Sequence, residues 1–156
     1  MTTQAQEALI YEEEEFGMAT EPLIQYLATR KEIKFIAPTS ACWRGYYGTW
    51  EVKNDTLFLT NLHAYIEGYK EVGLEYLFPG HVEVLADWFS GELRIPTGEM
   101  LEYVHMGYAS VYERDIYLHF ENGKLINKRE VDNREEHARS MQKRELEKKK
   151  DELQKS

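Results

Sequence analysis

The chain has 156 residues and a formal net charge of −9 at pH 7, from 19 Lys and Arg against 28 Asp and Glu. That length fits one domain able to bury a core without staples. The one cysteine, Cys42, excludes an internal disulfide framework. No apolar run is long enough to span a bilayer as a helix.

The charge is uneven. Residues 134–156 carry eight Lys and Arg against six Asp and Glu, so this stretch is +2 and residues 1–133 are −11. So acidic a body repels phosphate backbones, which excludes nucleic-acid binding through it. The opening MTTQAQEALIYEEEE has no basic flank and no apolar run, so no secretory leader is expected. With its lone cysteine, the expectation is a cytoplasmic protein with no membrane contact.

Residues before Ala8 are polar and expected to be loose. Residues 8–11 read as a short strand. Glu12 to Glu15 is a like-charge run suited to an exposed turn, after which Phe16 returns to the apolar phase. Thr20-Glu21-Pro22 reads as a helix start, with Thr20 as cap and Pro22 in the first turn. Leu23, Ile24, Leu27 and Ala28 then form one stripe, and Arg30-Lys31 suits the helix C-terminus. Ile33 to Ile36 reads as a strand ended by Pro38.

Residues 41–62, ACWRGYYGTWEVKNDTLFLTNL, are the stretch around which the rest is expected to pack. They read as a hairpin. Trp50 and Val52 share one face, Asn54-Asp55 makes the turn, and Leu57 and Leu59 alternate on the return. Residues 63–73 are expected to hold a strand and a loop. Residues 74–78 lead into the turn Pro79-Gly80, and Val82 and Val84 favour a strand over residues 81–89. Residues 90–104 repeat the pattern of the first hairpin. Gly48-Thr49-Trp50-Glu51-Val52 aligns with Gly91-Glu92-Leu93-Arg94-Ile95, and Pro96 to Gly98 would be the second turn.

Ile116, Leu118 and Phe120 then alternate with Tyr117 and His119 in a half-buried strand. Asn122-Gly123 is a strong hairpin signal, and Leu125 and Val131 share a face on the return. Asn133-Arg134-Glu135-Glu136 matches a capping pattern, and the helix after it is almost entirely charged. Glu135→Arg139 and Glu145→Lys149 pairs would support it in solvent. The expected fold is α+β: a mostly antiparallel sheet of about seven to nine strands, curled or barrel-like, with one early helix and one charged C-terminal helix. Residues 1–133 form a single acidic β-rich domain, and residues 134–156 a charged helix that frays towards Ser156.

The chain lacks a phosphate-binding Gly-rich loop, HExxH, paired CxxC and the G-x-S-x-G elbow. Its five histidines are not spaced as ligands on one element, so no metal and no cofactor are expected. Trp43-Arg44-Gly45-Tyr46-Tyr47 is the most unusual stretch, because Trp, Tyr and Arg dominate binding hot spots and Arg stacks on aromatic rings. Together with Trp88, Tyr103 and Tyr108, the residues Trp43, Arg44, Tyr46 and Tyr47 are the candidate binding set; core packing is the competing explanation. His105, near Asp87 and Glu102, is the candidate acid–base group, with hydrogen-bonded structural duty as its alternative. Arg44 and Asp87 are candidates to pair. Three function classes follow: a non-enzymatic module of immunity, inhibitor or regulator type that binds a basic partner protein; a sheet holding a small ligand in an aromatic-walled pocket; and a hydrolase using His105. Size, acidity and missing catalytic motifs favour the first.

Overall fold

The computed structural model describes residues 3–155. Met1 and Thr2 of the expected loose start, and Ser156, where fraying was expected, lie outside the described residues. The chain is a mixed α+β protein built on one sheet of nine strands. β1 (Glu7–Tyr11) and β2 (Glu14–Met18) form a hairpin whose turn, Glu12-Glu13, has φ of 51° and 64°. The like-charge run is therefore shorter as a turn than expected, and Glu14 and Glu15 pair within β2.

After a one-turn helix α1 (Ile24–Leu27), β3 (Tyr46–Lys53) and β4 (Thr56–Ile66) form the expected central hairpin. Asn54 and Asp55 both take left-handed φ, as a two-residue turn matched to strand twist requires. β4 carries one extra residue near Thr60, where Trp50 faces Leu59 and Thr49 faces Asn61. The slip explains why Leu57 and Leu59 are buried first, then Leu62 and Ala64. A 3-10 turn leads to β5 (Lys70–Gly73), a one-turn helix α2 (Leu74–Leu77) and the two-residue β6 (Val84–Leu85), both strands lying against β4. β7 (Gly91–Glu102), β8 (Val111–Glu121) and β9 (Lys124–Asp132) follow as a meander, and α3 (Arg134–Gln154) ends it.

The strand order is β2-β1-β3-β4-β9-β8-β7, antiparallel except for β1 beside β3. The sheet curls but stays open, not closed into a barrel. β9 meets β4 at Thr56–Lys124, and beyond β2 Ala19 N–H donates to the Arg94 carbonyl of β7 at 2.8 Å. The core lies inside the curl: Leu9, Met18, Trp50, Leu57, Leu59, Leu93, Ile95, Leu118 and Phe120 are fully buried. Trp88 joins it, stacked on Phe78 at 5.7 Å and edge-on to Trp50 at 6.4 Å.

Several expectations fail for identifiable reasons. Residues 90–104 do not turn back. They form the single strand β7, in which Gly98 at φ 82° marks a bulge against β8. A glycine at positive φ serves a bulge as well as a turn, and here a side chain at position 98 would strike Glu113. Without a second hairpin, the basis for an internal repeat is gone. Residues 33–36 are not a strand; Ile36 makes one backbone bond to the Tyr65 carbonyl. The strand expected over residues 81–89 shrinks to Val84–Leu85, since Ala86 to Phe89 close a turn. Thr20 caps no helix, because its hydroxyl accepts from Arg94 N–H at 2.8 Å, and Ile24 of the expected stripe is exposed. Asn133 stands at the N-cap of α3 but its side chain is engaged elsewhere, donating to the Tyr112 carbonyl and to Asp115.

Candidate functional site

The start of the chain is not loose where it is described. Residues 3–7 run between two loops, residues 40–45 and 103–110, and bind both. Gln4 N–H donates to the Gly107 carbonyl at 2.9 Å. Its side chain donates to the Ser40 carbonyl at 2.9 Å and accepts from Trp43 N–H at 2.8 Å. The Ala5 carbonyl accepts from Arg44 Nη2 at 3.2 Å and from the Tyr108 hydroxyl at 3.4 Å. Thr3 bonds the Tyr103 hydroxyl and the Val104 carbonyl, each at 3.1 Å.

Beneath this seam lies a charge cluster. Glu7 alternates with Leu9 and Tyr11 on the inward face of β1, so the pleat carries its side chain inside, where it has no exposed surface. Glu7 Oε1 accepts from Gly48 N–H at 2.8 Å and from the Trp50 indole N–H at 2.9 Å. Gly48 is required here: a Cβ at that position would lie 2.4 Å from Glu7 Oε1. Glu7 Oε2 sits 3.2 Å from Arg44 Nε, and Glu21 Oε1 lies 3.9 Å from the same nitrogen. The guanidinium, with its side chain 7% exposed, faces the rings of Tyr46 and Tyr47 at 5.4 and 5.1 Å. Glu7 Oε2, Arg44 Nε and Nη1 and the Tyr46 hydroxyl make no hydrogen bond among the described residues.

Burial raises the Glu7 carboxyl from 4.5 to about 7, although Arg44 and the bonds from Trp50 and Gly48 pull the other way. Burial also pushes up the phenols of Tyr46 and Tyr108. Burial opposes the Arg44 cation, but Glu7, Tyr108, Cys42 and Glu21 hold its pKa above the ordinary value. A carboxyl near neutrality has the pKa of an acid–base catalyst. With no exposed surface, Glu7 meets no substrate in this conformation.

Above the cluster the two loops present apolar side chains to solvent. Trp43 is 44% exposed, Tyr103 58% and Met106 50%. Tyr103 donates to or accepts from His105 Nδ1 at 2.6 Å, and neither Asp87 nor Glu102 joins them. Of the sequence-derived candidates, then, Trp43, Arg44, Tyr46, Tyr47, Tyr103, His105 and Tyr108 come together around residues 3–7. Trp88 stands apart, its indole donating to the Pro22 carbonyl at 3.0 Å. Arg44 does not pair with Asp87: Glu7 and Glu21 are its carboxylates, and Asp87 is exposed at the turn before β7. Glu7, Glu21 and Gln4 were not candidates. The alternation of Glu7 with Leu9 and Tyr11 was the signal for the first.

Glu102 faces a different place, a cleft of about 380 Å³ between α3 and strands β7 and β8. It accepts from Arg144 Nη1 and Nη2 at 2.7 and 3.3 Å, a hydrogen-bonded pairing that holds its carboxyl below the ordinary value. His137 lies 4.0 Å away. Deeper in, the buried Asp115 accepts from Arg94 Nε at 2.9 Å and Asn133 Nδ2 at 2.8 Å. The charges in this cleft are matched to one another, so they fasten α3, none of whose side chains is buried, to the sheet. Among the described residues no group of three or more His, Cys, Asp or Glu is placed to hold a metal ion, and no helix is long and apolar enough to cross a membrane. Comparison with family models, with curated protein sequences and with solved structures returns no match.

Proposed function

We propose that the protein is a non-enzymatic, cytoplasmic interaction module that binds a basic partner protein through the face formed by Trp43, Tyr103 and Met106. The observation that carries this reading is the exposure of these three side chains on loops cross-braced by residues 3–5. Exposed Trp and Tyr on a pre-ordered frame are the residues that anchor protein interfaces, since little conformational entropy is lost on binding. The net charge of −11 over residues 1–133 supports a cationic partner, drawn in by the long-range field. Against a small-ligand site, Tyr46 and Trp50 are buried, Trp88 is partly buried against the core, and Tyr117 and His137 are the aromatic side chains among the described residues that line the α3 cleft.

Site-specific photocrosslinking in the native host tests the proposal. A photoreactive amino acid is placed at Trp43 or Met106, with Val82, 89% exposed and on another part of the surface, as control. The expected result is one basic protein captured from positions 43 and 106 and not from 82. A Trp43→Ala, Tyr103→Ala double variant should then weaken binding of that protein by at least about 30-fold, the range of a hot-spot loss. Equal capture from all three positions, or capture from none, overturns the proposal.

A further inference from the structure

We infer that Glu7, Arg44 and Glu21 form a proton-operated latch beneath the binding face: Arg44 holds Glu7 while that carboxylate is charged, and turns to Glu21 when Glu7 takes up a proton. The inference rests on the binding-face reading for its consequence, because the latch moves Trp43, which belongs to that face, and Tyr108, which lies on the loop that carries Tyr103 and Met106.

The cluster has two carboxylates for one guanidinium. One added proton makes it neutral, and a buried group of unbalanced charge has a strong drive to acquire one. The groups facing Glu7 and Arg44 from each packed element are Cys42 beside Arg44 in residues 41–45, Tyr46, Tyr47 and Trp50 from β3, Glu21 ahead of α1, and Tyr108 from residues 103–110. Arg44 is the one cation among them. Its Nε lies between the two acids, 3.2 Å from Glu7 and 3.9 Å from Glu21, so the exchange needs a short side-chain rotation and no unfolding. Both positions have bonds to offer. Arg44 Nη1 and the Tyr46 hydroxyl are buried without partners, and Glu7 Oε2 is the oxygen free to carry the proton. Glu7 Oε1 keeps its bonds from Gly48 and Trp50 in either state. Arg44 also holds the Ala5 carbonyl, which it shares with the Tyr108 hydroxyl, and it follows Trp43 in the chain. Its rotation therefore reaches both loops. With Glu7 titrating near neutrality, the exchange falls within the range of cytoplasmic pH.

Backbone and indole ¹H–¹⁵N spectra between pH 5 and 9 test this on the free protein. The Trp50 indole and Gly48 amide report Glu7 directly. They should shift with a midpoint near 7, and the amides of Trp43, Gly107 and Tyr108 and the Arg44 Nε–H should follow the same midpoint. Glu7→Gln should abolish all of these shifts together. Glu21→Gln should leave the Trp50 titration in place and uncouple Trp43 and Tyr108 from it, because Arg44 then has no second carboxylate. Titration of Trp50 with Trp43 and Tyr108 unmoved in the wild type overturns the latch, as does persistence of the coupled shifts in Glu21→Gln. Neither result bears on crosslinking from positions 43 and 106, so the two proposals fail separately.

Discussion

Replacing Glu7 with glutamine removes one titrating group from the core and leaves its shape. The side-chain amide of Glu7→Gln would keep an oxygen to accept from Gly48 N–H and the Trp50 indole, the two bonds Glu7 Oε1 makes at 2.8 and 2.9 Å. The folded carboxyl titrates at about 7 and the unfolded one near 4.5. Between those values the folded state holds a proton that the unfolded state has lost. Wild-type stability from this group is therefore fully present below about 4.5, falls as pH rises towards 7, and is flat above it. At about 1.4 kcal/mol per pH unit the loss is about 3 kcal/mol. For a chain of this size that is roughly 6–12 °C in Tm. Other carboxylates act oppositely: hydrogen bonds from arginine lower Glu92, Glu102 and Asp132, and their contribution is lost only as pH falls through their folded values. The quantity to measure is therefore the difference between wild type and Glu7→Gln, by urea unfolding at half-unit steps from pH 5 to 8. The wild type should lose about 2–3 kcal/mol relative to the variant across that interval, which begins half a unit above the unfolded value. Any constant offset from the changed pairing of Arg44 cancels. Parallel curves would refute the assignment of a neutral-range carboxyl to Glu7.

Three further outcomes follow from the same geometry. Gly48→Ala places a Cβ 2.4 Å from Glu7 Oε1 and 2.6 Å from Trp50 Nε1, so it should cost about 2–4 kcal/mol in urea unfolding. Gly73→Ala, whose nearest contact is 3.4 Å, should cost under about 1 kcal/mol. Glu102→Gln replaces the bidentate partner of Arg144, and hydrogen exchange should quicken at least about 3-fold across α3 while the amides of β3 and β4 keep their protection. Trp43→Ala and Tyr103→Ala, both on exposed side chains, should each change stability by under about 1 kcal/mol, so any loss of partner binding reads as lost contact and not as unfolding.

The sequence was most legible where period and turn chemistry agree. Trp50 and Val52 across from Leu57 and Leu59, closed by Asn54-Asp55, specify β3 and β4, and Ile116, Leu118 and Phe120 before Asn122-Gly123 specify β8 and β9. It misled where one residue type serves two geometries. Gly98 reads as a turn and is a bulge, because nothing local reports that β7 and β8 pair on through it. Asn133 reads as a helix cap, but its amide is drawn to Asp115, a partner 18 residues earlier that only the tertiary fold supplies. The site was half legible. Its aromatic and arginine members stand out by type, whereas Glu7 was hidden by a polar neighbourhood in which only the alternation with Leu9 and Tyr11 marks it as inward.

The position of that acid is hard to explain by stability alone. A hydrophobic residue on the inward face of β1 would bury without a desolvation cost, and a buried ion pair gives little net gain over apolar side chains of similar volume. Here the pair lacks hydrogen-bond geometry, leaves donors of Arg44 and the Tyr46 hydroxyl unmatched, and adds a second acid, Glu21, that one guanidinium cannot neutralise with the first. By contrast Arg94, Asp115 and Asn133, at the root of α3, are hydrogen-bonded to one another as a structural polar group should be. The difference between these two clusters, one closed and one with bonds in reserve, locates the adjustable part of the molecule under the loops that carry Trp43 and Tyr108.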